Sequence, residues 1–141
     1  MIELTPFRPA DLVAFPVQAA QQCDVPDAAE FAVEIVRRNG EAVTVRGGSG
    51  QVVMVFGIIP QSDDLGSAWA LFSADAGRDM LAITRTAQLF LDTHDLRAIM
   101  ITVDMRHAAF SRWARMLGFQ DRGMVQWQND PDLHLFLREK I

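Results

Sequence analysis

Three stretches of the chain repeat their apolar side chains every three or four residues, the spacing of one face of an α-helix. In the first, Ala28, Phe31, Ala32, Ile35 and Val36 follow Asp27 as a candidate N-cap and precede Asn39-Gly40 as a C-cap. In the second, Met80, Ile83, Ala87, Phe90 and Leu91 predict a long helix from about Arg78 to Thr93, broken by Asp95. In the third, Phe110, Trp113, Ala114 and Leu117 predict a helix that Gly118 ends. A shorter helix is expected where Pro9 supplies a first-turn residue and Leu12 and Phe15 an apolar side, with Pro16 kinking or restarting it.

Other stretches read as strands. Ile2-Glu3-Leu4 opens the chain, and Glu41–Val45 and Gln51–Phe56 form an antiparallel hairpin around Arg46-Gly47-Gly48-Ser49-Gly50. Pro60 to Gly66 is a polar loop and Ser67–Ser73 a strand. Arg97–Val103 reads as the best buried strand of the chain. Two final strands, roughly Asp121–Trp127 and Leu133–Leu137, flank a turn containing Asn129-Asp130-Pro131-Asp132. Helices interrupting a largely β run, with one strand-helix-strand crossover near the middle, predict an α/β (α+β) fold: a mixed sheet with helices on both faces, in a single domain over residues 1–141.

Composition narrows the chemistry. Half of the 141 residues are apolar and 22% are charged, enough to build a core and to exclude wholesale disorder. The longest apolar stretch, Val52 to Ile59, is far short of the roughly 20 residues that span a bilayer. Glu3 and Pro6 stand where a secretory signal would carry basic and then apolar residues, so a soluble, cytoplasmic protein is expected. A single cysteine, Cys23, provides neither an internal disulfide nor a multi-thiolate metal site, and the three histidines are not spaced as metal ligands. The net charge of −5 argues against nucleic acid as a partner. Residues 1–75 carry ten acids and four bases, whereas residues 76–122 carry five acids and seven arginines, so the middle of the chain is a candidate to hold an anion, or else its arginines are codon usage and solvated helix faces. The glycine-rich stretch at 47–50 has the look of a phosphate cradle, but it lacks a Gly-Lys-Ser/Thr ending and a following helix, and a hairpin turn is the expected reading.

The segment Ala109 to Phe119, ending in Leu117-Gly118-Phe119 after a buried strand and a helix, together with the element order, resembles the GNAT family of N-acetyltransferases. Gly66–Ser73, Met80-Leu81, Thr84-Arg85, Val103-Asp104-Met105-Arg106-His107 and Trp113–Phe119 are further similar to a phage branch of that fold, the acetyltransferase-like proteins related to internal virion protein A. The resemblance implies an acyl-CoA site where two central parallel strands splay apart. Leu71, Phe72 and Ser73 would line the pantetheine, and Gly77, Arg78 and Asp79 the pyrophosphate of acetyl-CoA, at a helix N-terminus. It also implies an amine as the acyl acceptor.

Two departures accompany the resemblance. Where the family shows an Arg/Gln-x-x-Gly-x-Gly/Ala loop, this chain has Asp75-Ala76-Gly77-Arg78-Asp79-Met80; where it commonly has a tyrosine acid, this chain, which contains no tyrosine, has Ala114. Asp104 is the candidate to deprotonate the amine, or else an N-cap of the following helix; His107 is a candidate proton carrier, or else a capping or surface residue. Arg106, Arg112 and Arg115 are candidates for a 3′-phosphate or solvated helix positions. The alternative function is a non-catalytic virion or assembly protein on the same fold, associating with virion proteins or with itself.

Overall fold

The structure is a computed structural model of the chain and describes residues 2–12, 41–74, 76–125 and 130–140. In order these form β1 (Glu3–Pro6), a 3-10 turn (Pro9–Leu12), β2 (Glu41–Arg46), β3 (Val52–Pro60), β4 (Leu65–Phe72), a second 3-10 turn (Ala76–Asp79), α1 (Met80–Thr93), β5 (Ala98–Asp104), α2 (Ala108–Met116), β6 (Gln120–Met124) and β7 (Leu133–Glu139). The strands make one mixed seven-stranded sheet in the order β1-β2-β3-β4-β5-β7-β6. The expected helix around Asp27–Gly40, Phe15, Pro16 and Cys23 lie outside the described residues.

Two compact units divide the chain: Met1–Ile59 with Trp69–Arg85, and Pro60–Ala68 with Thr86–Ile141. In the first, β2 pairs antiparallel with β1 and β3, and the register shifts between Val45 and Arg46 as the hairpin nears its turn. β3 is the most deeply buried strand described, with six consecutive buried residues from Val53 to Ile58. That corrects the sequence reading, which gave this rank to the stretch at Arg97–Val103: β5 buries only Ile99 and Val103 and leaves Thr102 exposed. A strand with both faces buried reads as an unbroken apolar run, and Val52–Ile59 is the longest such run in the chain. Asp11, on the first 3-10 turn, accepts the Thr44 hydroxyl at 2.7 Å and Nη2 of Arg46 at 2.9 Å, which fastens that turn to β2. Burial pushes the Asp11 carboxyl up, but the bonds from Thr44, the Arg8 amide and Arg46 outweigh it and hold the group below its ordinary value.

In the second unit β4 runs parallel to β5 over Leu65–Ser67 and Ala98–Met100, while β5 pairs along its whole length with β7, antiparallel. β7 in turn pairs with β6, where a register shift between Asp121 and Met124 accommodates Gly123 at φ +97°. That bulge interrupts the alternation of β6, which runs from Gln120 to Met124; Trp127, the expected limit of this strand, lies outside the described residues. Phe136, fully buried, and Ile99, Val103, Ala114, Leu117 and Phe119 form the apolar interior of this unit. Each such side chain contributes about 1.5–3 kcal/mol when fully withdrawn from water, alanine less. Arg115 of α2 lies over the Phe136 ring, 5.4 Å from its centre.

α1 follows its predicted stripe: Ile83, Ala87 and Leu91 are buried, four residues apart, and Leu81 and Leu89 are exposed. Its first turn differs from expectation, since residues 76–79 wind as a 3-10 turn and the α-helix proper begins at Met80. α2 ends as predicted, with Gly118 in the left-handed region at φ +92° and Phe119 N–H donating to the Ala114 carbonyl at 3.1 Å.

Candidate functional site

The cofactor-binding candidates fall in the first unit, and two of them, Gly77 and Arg78, line an open groove. β4 delivers Leu71, Phe72 and Ser73, all buried, with Ser73 N–H donating to the Val53 carbonyl at 2.9 Å. The chain then turns: Ala76 N–H donates to the Ser73 carbonyl at 3.1 Å, and the 3-10 turn leads into α1. Beside that turn a groove of about 500 Å³ is lined by Ser49, Gln51, Ala74, Gly77 and Arg78. Gly77 is exposed and nothing lies within 4 Å of where its Cβ would stand, so the backbone there is open to a ligand. Arg78 is exposed and makes no ion pair or hydrogen bond with a described residue. A guanidinium without a carboxylate partner among the described residues, beside an approachable backbone where a helix begins and leaves N–H groups without intrahelical partners, suits a phosphate. Asp79 is half-buried, with Oδ2 3.2 Å from the Cβ position of Gly47 in the β2–β3 turn; Asp75 lies outside the described residues.

Ser49 and Gln51 were missed as site residues by the sequence reading. Its only signal was the glycine-rich stretch, which the structure shows to be a hairpin turn: Gly47 N–H donates to the Gln51 carbonyl at 2.9 Å and Gly50 N–H to the Gly47 carbonyl at 3.0 Å.

Asp104 and His107, the catalytic candidates, fall in the second unit, at and just beyond the end of β5. Asp104 Oδ1 accepts the Arg106 backbone N–H at 3.0 Å and Nε at 2.9 Å, and Oδ2 accepts Nη2 at 2.8 Å. This two-pronged guanidinium pair, within a turn two residues long, is the main reason the Asp104 carboxyl is held below its ordinary value; the Arg106 amide and His107 act in the same direction and burial opposes them. The N-cap reading of Asp104 is therefore corrected: its side chain closes a turn onto Arg106, and the residue at the N-cap of α2 is His107, whose ring makes no capping bond. The His107 ring meets Phe110 edge-on at 5.6 Å, and its Nε2 stands 3.9 Å from Asp104 Oδ2.

The Asp104–Arg106 turn is braced by the β6–β7 loop, where Met105 N–H donates to the Asp132 carbonyl at 2.7 Å and Arg106 lies 3.8 Å from Asp130. Of the other arginine candidates, Arg115 faces Asp121 at 3.8 Å, and Arg112 makes no contact of these kinds with a described residue. Asp121 also accepts Nδ1 of His134 at 2.9 Å. Among the described residues no group of three or more metal-ligating side chains occurs, and no helix is long and apolar enough to cross a membrane.

Because the Asp104 carboxyl is lowered on folding, the stability it contributes is complete above the ordinary carboxylate pKa and is lost as the pH falls below that range through its native value. Asp104→Asn is expected to flatten the stability profile across that window. Urea midpoints measured at intervals down to acid pH check this, and an unchanged slope would contradict the assigned ion pair.

No protein-family model matches the chain, and no curated protein does either. Solved structures do. A GNAT acetyltransferase from Staphylococcus aureus aligns over 99% of each chain with a TM-score of 0.71 at 11% identity. A spermidine N-acetyltransferase chimera from Vibrio cholerae and hSSAT aligns with a TM-score of 0.74 at 11% identity, over 98% of this chain and 95% of the other. A GNAT superfamily phosphinothricin acetyltransferase from Sinorhizobium meliloti, solved with AcCoA, aligns with a TM-score of 0.72 at 16% identity, over 99% of this chain and 88% of the other. The chain has the GNAT fold.

Proposed function

We propose that the protein is an acyl-CoA-dependent N-acyltransferase, using acetyl-CoA and an amine acceptor. The observation that carries this reading is the groove at Gly77 and Arg78, at the start of α1, on a fold shared with an acetyltransferase solved with AcCoA. Two of the residues present fit the group: Arg78 makes no ion pair or hydrogen bond with a described residue and so can meet a phosphate, and Gly77 leaves the backbone approachable; Leu71, Phe72 and Ser73 are assigned to the pantetheine as a buried lining, with the Ser73 N–H and carbonyl already bonded to Val53 and Ala76. When bound, acetyl-CoA supplies an activated acyl thioester.

The rest falls to the chain's own residues. Asp104 stays anionic at neutral pH because Arg106 clasps it, which suits it to balance the charge of an ammonium group better than to take its proton. His107, next in line and half-buried, is the proton carrier in this reading, with water as its outlet.

One observation favours a second reading, a non-catalytic phage virion or assembly protein. Ala114, at the position where the resemblance implies a tyrosine acid, is 1% exposed, so that turn of α2 presents no proton donor for a leaving thiolate.

Calorimetric titration with acetyl-CoA and with CoA separates the two. Under the enzyme reading the wild type binds and Arg78→Ala binds roughly tenfold or more weakly, the effect of about 1.5–3 kcal/mol from a lost charge-assisted bond. No heat and no rise in melting temperature at millimolar ligand would overturn it in favour of the second reading.

A further inference from the structure

We propose that the β2–β3 turn is the second wall of the phosphate site, with Gln51 as a ligand-binding residue held ready by Ser49 and Gly47. The inference takes its groove and its ligand class from the acyl-CoA reading and adds residues that lie more than 20 positions before the Gly77–Arg78 turn in the chain.

Three observations converge on Gln51. The groove is lined on one side by Ala74, Gly77 and Arg78 and on the other by Ser49 and Gln51. The Gln51 side chain is exposed yet fixed, because its Oε1 accepts both the Ser49 hydroxyl and the Ser49 backbone N–H, the latter at 3.2 Å. With the oxygen committed, the groups left for a ligand are the two N–H donors of Nε2, which suit a phosphate oxygen. Finally, Nε2 lies 2.7 Å from where a Gly47 Cβ would stand. Any side chain at 47 would push the carboxamide from this position, so glycine here leaves room for Gln51. The turn itself is closed by the Gly47 and Gly50 bonds and by Arg46 Nη1 donating to the Gly50 carbonyl at 3.2 Å. Holding the donors in place before binding reduces the entropy a ligand must give up.

The test is calorimetric titration of the full chain with ADP, inorganic pyrophosphate and acetyl-CoA, for the wild type and for Gln51→Ala, Gln51→Glu, Gly47→Ala and Arg78→Ala. Thermal melts accompany each variant to show that it is folded. Gln51→Ala is expected to weaken ADP binding roughly three- to tenfold, from the loss of neutral hydrogen bonds of about 0.5–1.5 kcal/mol. Gln51→Glu, which sets a carboxylate against phosphate, should weaken it further. Gly47→Ala should reproduce the Gln51→Ala loss, since it displaces the same side chain.

Binding lost in Arg78→Ala but unchanged in all three turn variants overturns the inference and leaves the acyl-CoA reading standing. Gln51-dependent binding of ADP or pyrophosphate with no binding of acetyl-CoA supports the inference and overturns that reading. Absence of binding by all three ligands overturns both.

Discussion

Replacing Arg138 with methionine is expected to destabilise the protein by about 2–3 kcal/mol, chiefly by leaving a helix-end carbonyl short of its donor, since the carboxylate partner Asp92 is half-exposed and adds little. The guanidinium is 16% exposed and joins the ends of both helices: Nε donates to the Leu117 carbonyl at 2.9 Å, Nη1 to the Leu91 carbonyl at 3.1 Å, and Nη2 bonds the Asp92 carboxylate. A helix leaves its last carbonyls without intrahelical partners and carries partial negative charge at that end, so one cation on β7 satisfies the C-termini of α1 and α2 together. Methionine keeps the stem but takes the donor from the Leu117 carbonyl, at about 1–3 kcal/mol where it remains buried, and leaves the Leu91 carbonyl with only the long 3.4 Å bond from His94 N–H. Lysine, a single ammonium without the planar fork, should recover less than half. Thermal melts are expected to fall by about 10 °C for Arg138→Met. A fall of only 1–2 °C would show that water replaces the guanidinium and that the staple is not structural.

Arg138 also gives the Leu117-Gly118-Phe119 signature a physical basis. Gly118 sits at φ +92°, which calls for glycine, and a Cβ there would stand 3.3 Å from Arg138 Nε and press on the arginine passing beside it. The glycine was visible in the sequence because a helical stripe stops there; the arginine was not, since 20 residues separate them and an arginine late in a strand looks like a solvent-facing charge. The same divide runs through the rest of the fold. The β2–β3 hairpin, α1 and α2 were legible because their periodicities are local. The loop after β3 is shorter than the polar stretch Pro60–Gly66 suggests, since strand structure covers Pro60 and resumes at Leu65.

The candidate site follows the same rule. Gly77 and Arg78 entered as candidates through the family resemblance, whereas Ser49 and Gln51 belong to a turn brought beside them by pairing between distant stretches, with Ser73 N–H on the Val53 carbonyl, which no local pattern reveals. Asp104 was correctly placed at the end of β5, but its cap role failed because Arg106, two residues on, offers a two-pronged bond that outcompetes a helix N–H.

Gly57→Ala is expected to be the costliest single methyl in the first unit, lowering stability by roughly 3 kcal/mol, at or beyond the top of the usual range for overpacking. Gly57 lies in the middle of the most buried strand, opposite Ala42. A Cβ built on it falls 2.2 Å from the Glu41 carbonyl oxygen, 3.0 Å from the Ala42 Cα and 3.0 Å from the Trp69 ring. The first two are backbone atoms of a paired strand and cannot swing aside as a side-chain tip does, so relief requires β2 to move off β3. That movement would stretch the ladder from Glu41↔Ile58 to Val43↔Phe56, and the Trp69 indole, half-buried, closes the other escape. Gly77→Ala is the matching control, because no atom stands within 4 Å of its Cβ position and the change should stay within about 0.5 kcal/mol in stability. Urea denaturation of the two variants beside the wild type decides the matter. Equal midpoints for Gly57→Ala and Gly77→Ala would mean that β2 yields at little cost and that the close approach of the two strands contributes little to holding this half of the sheet together.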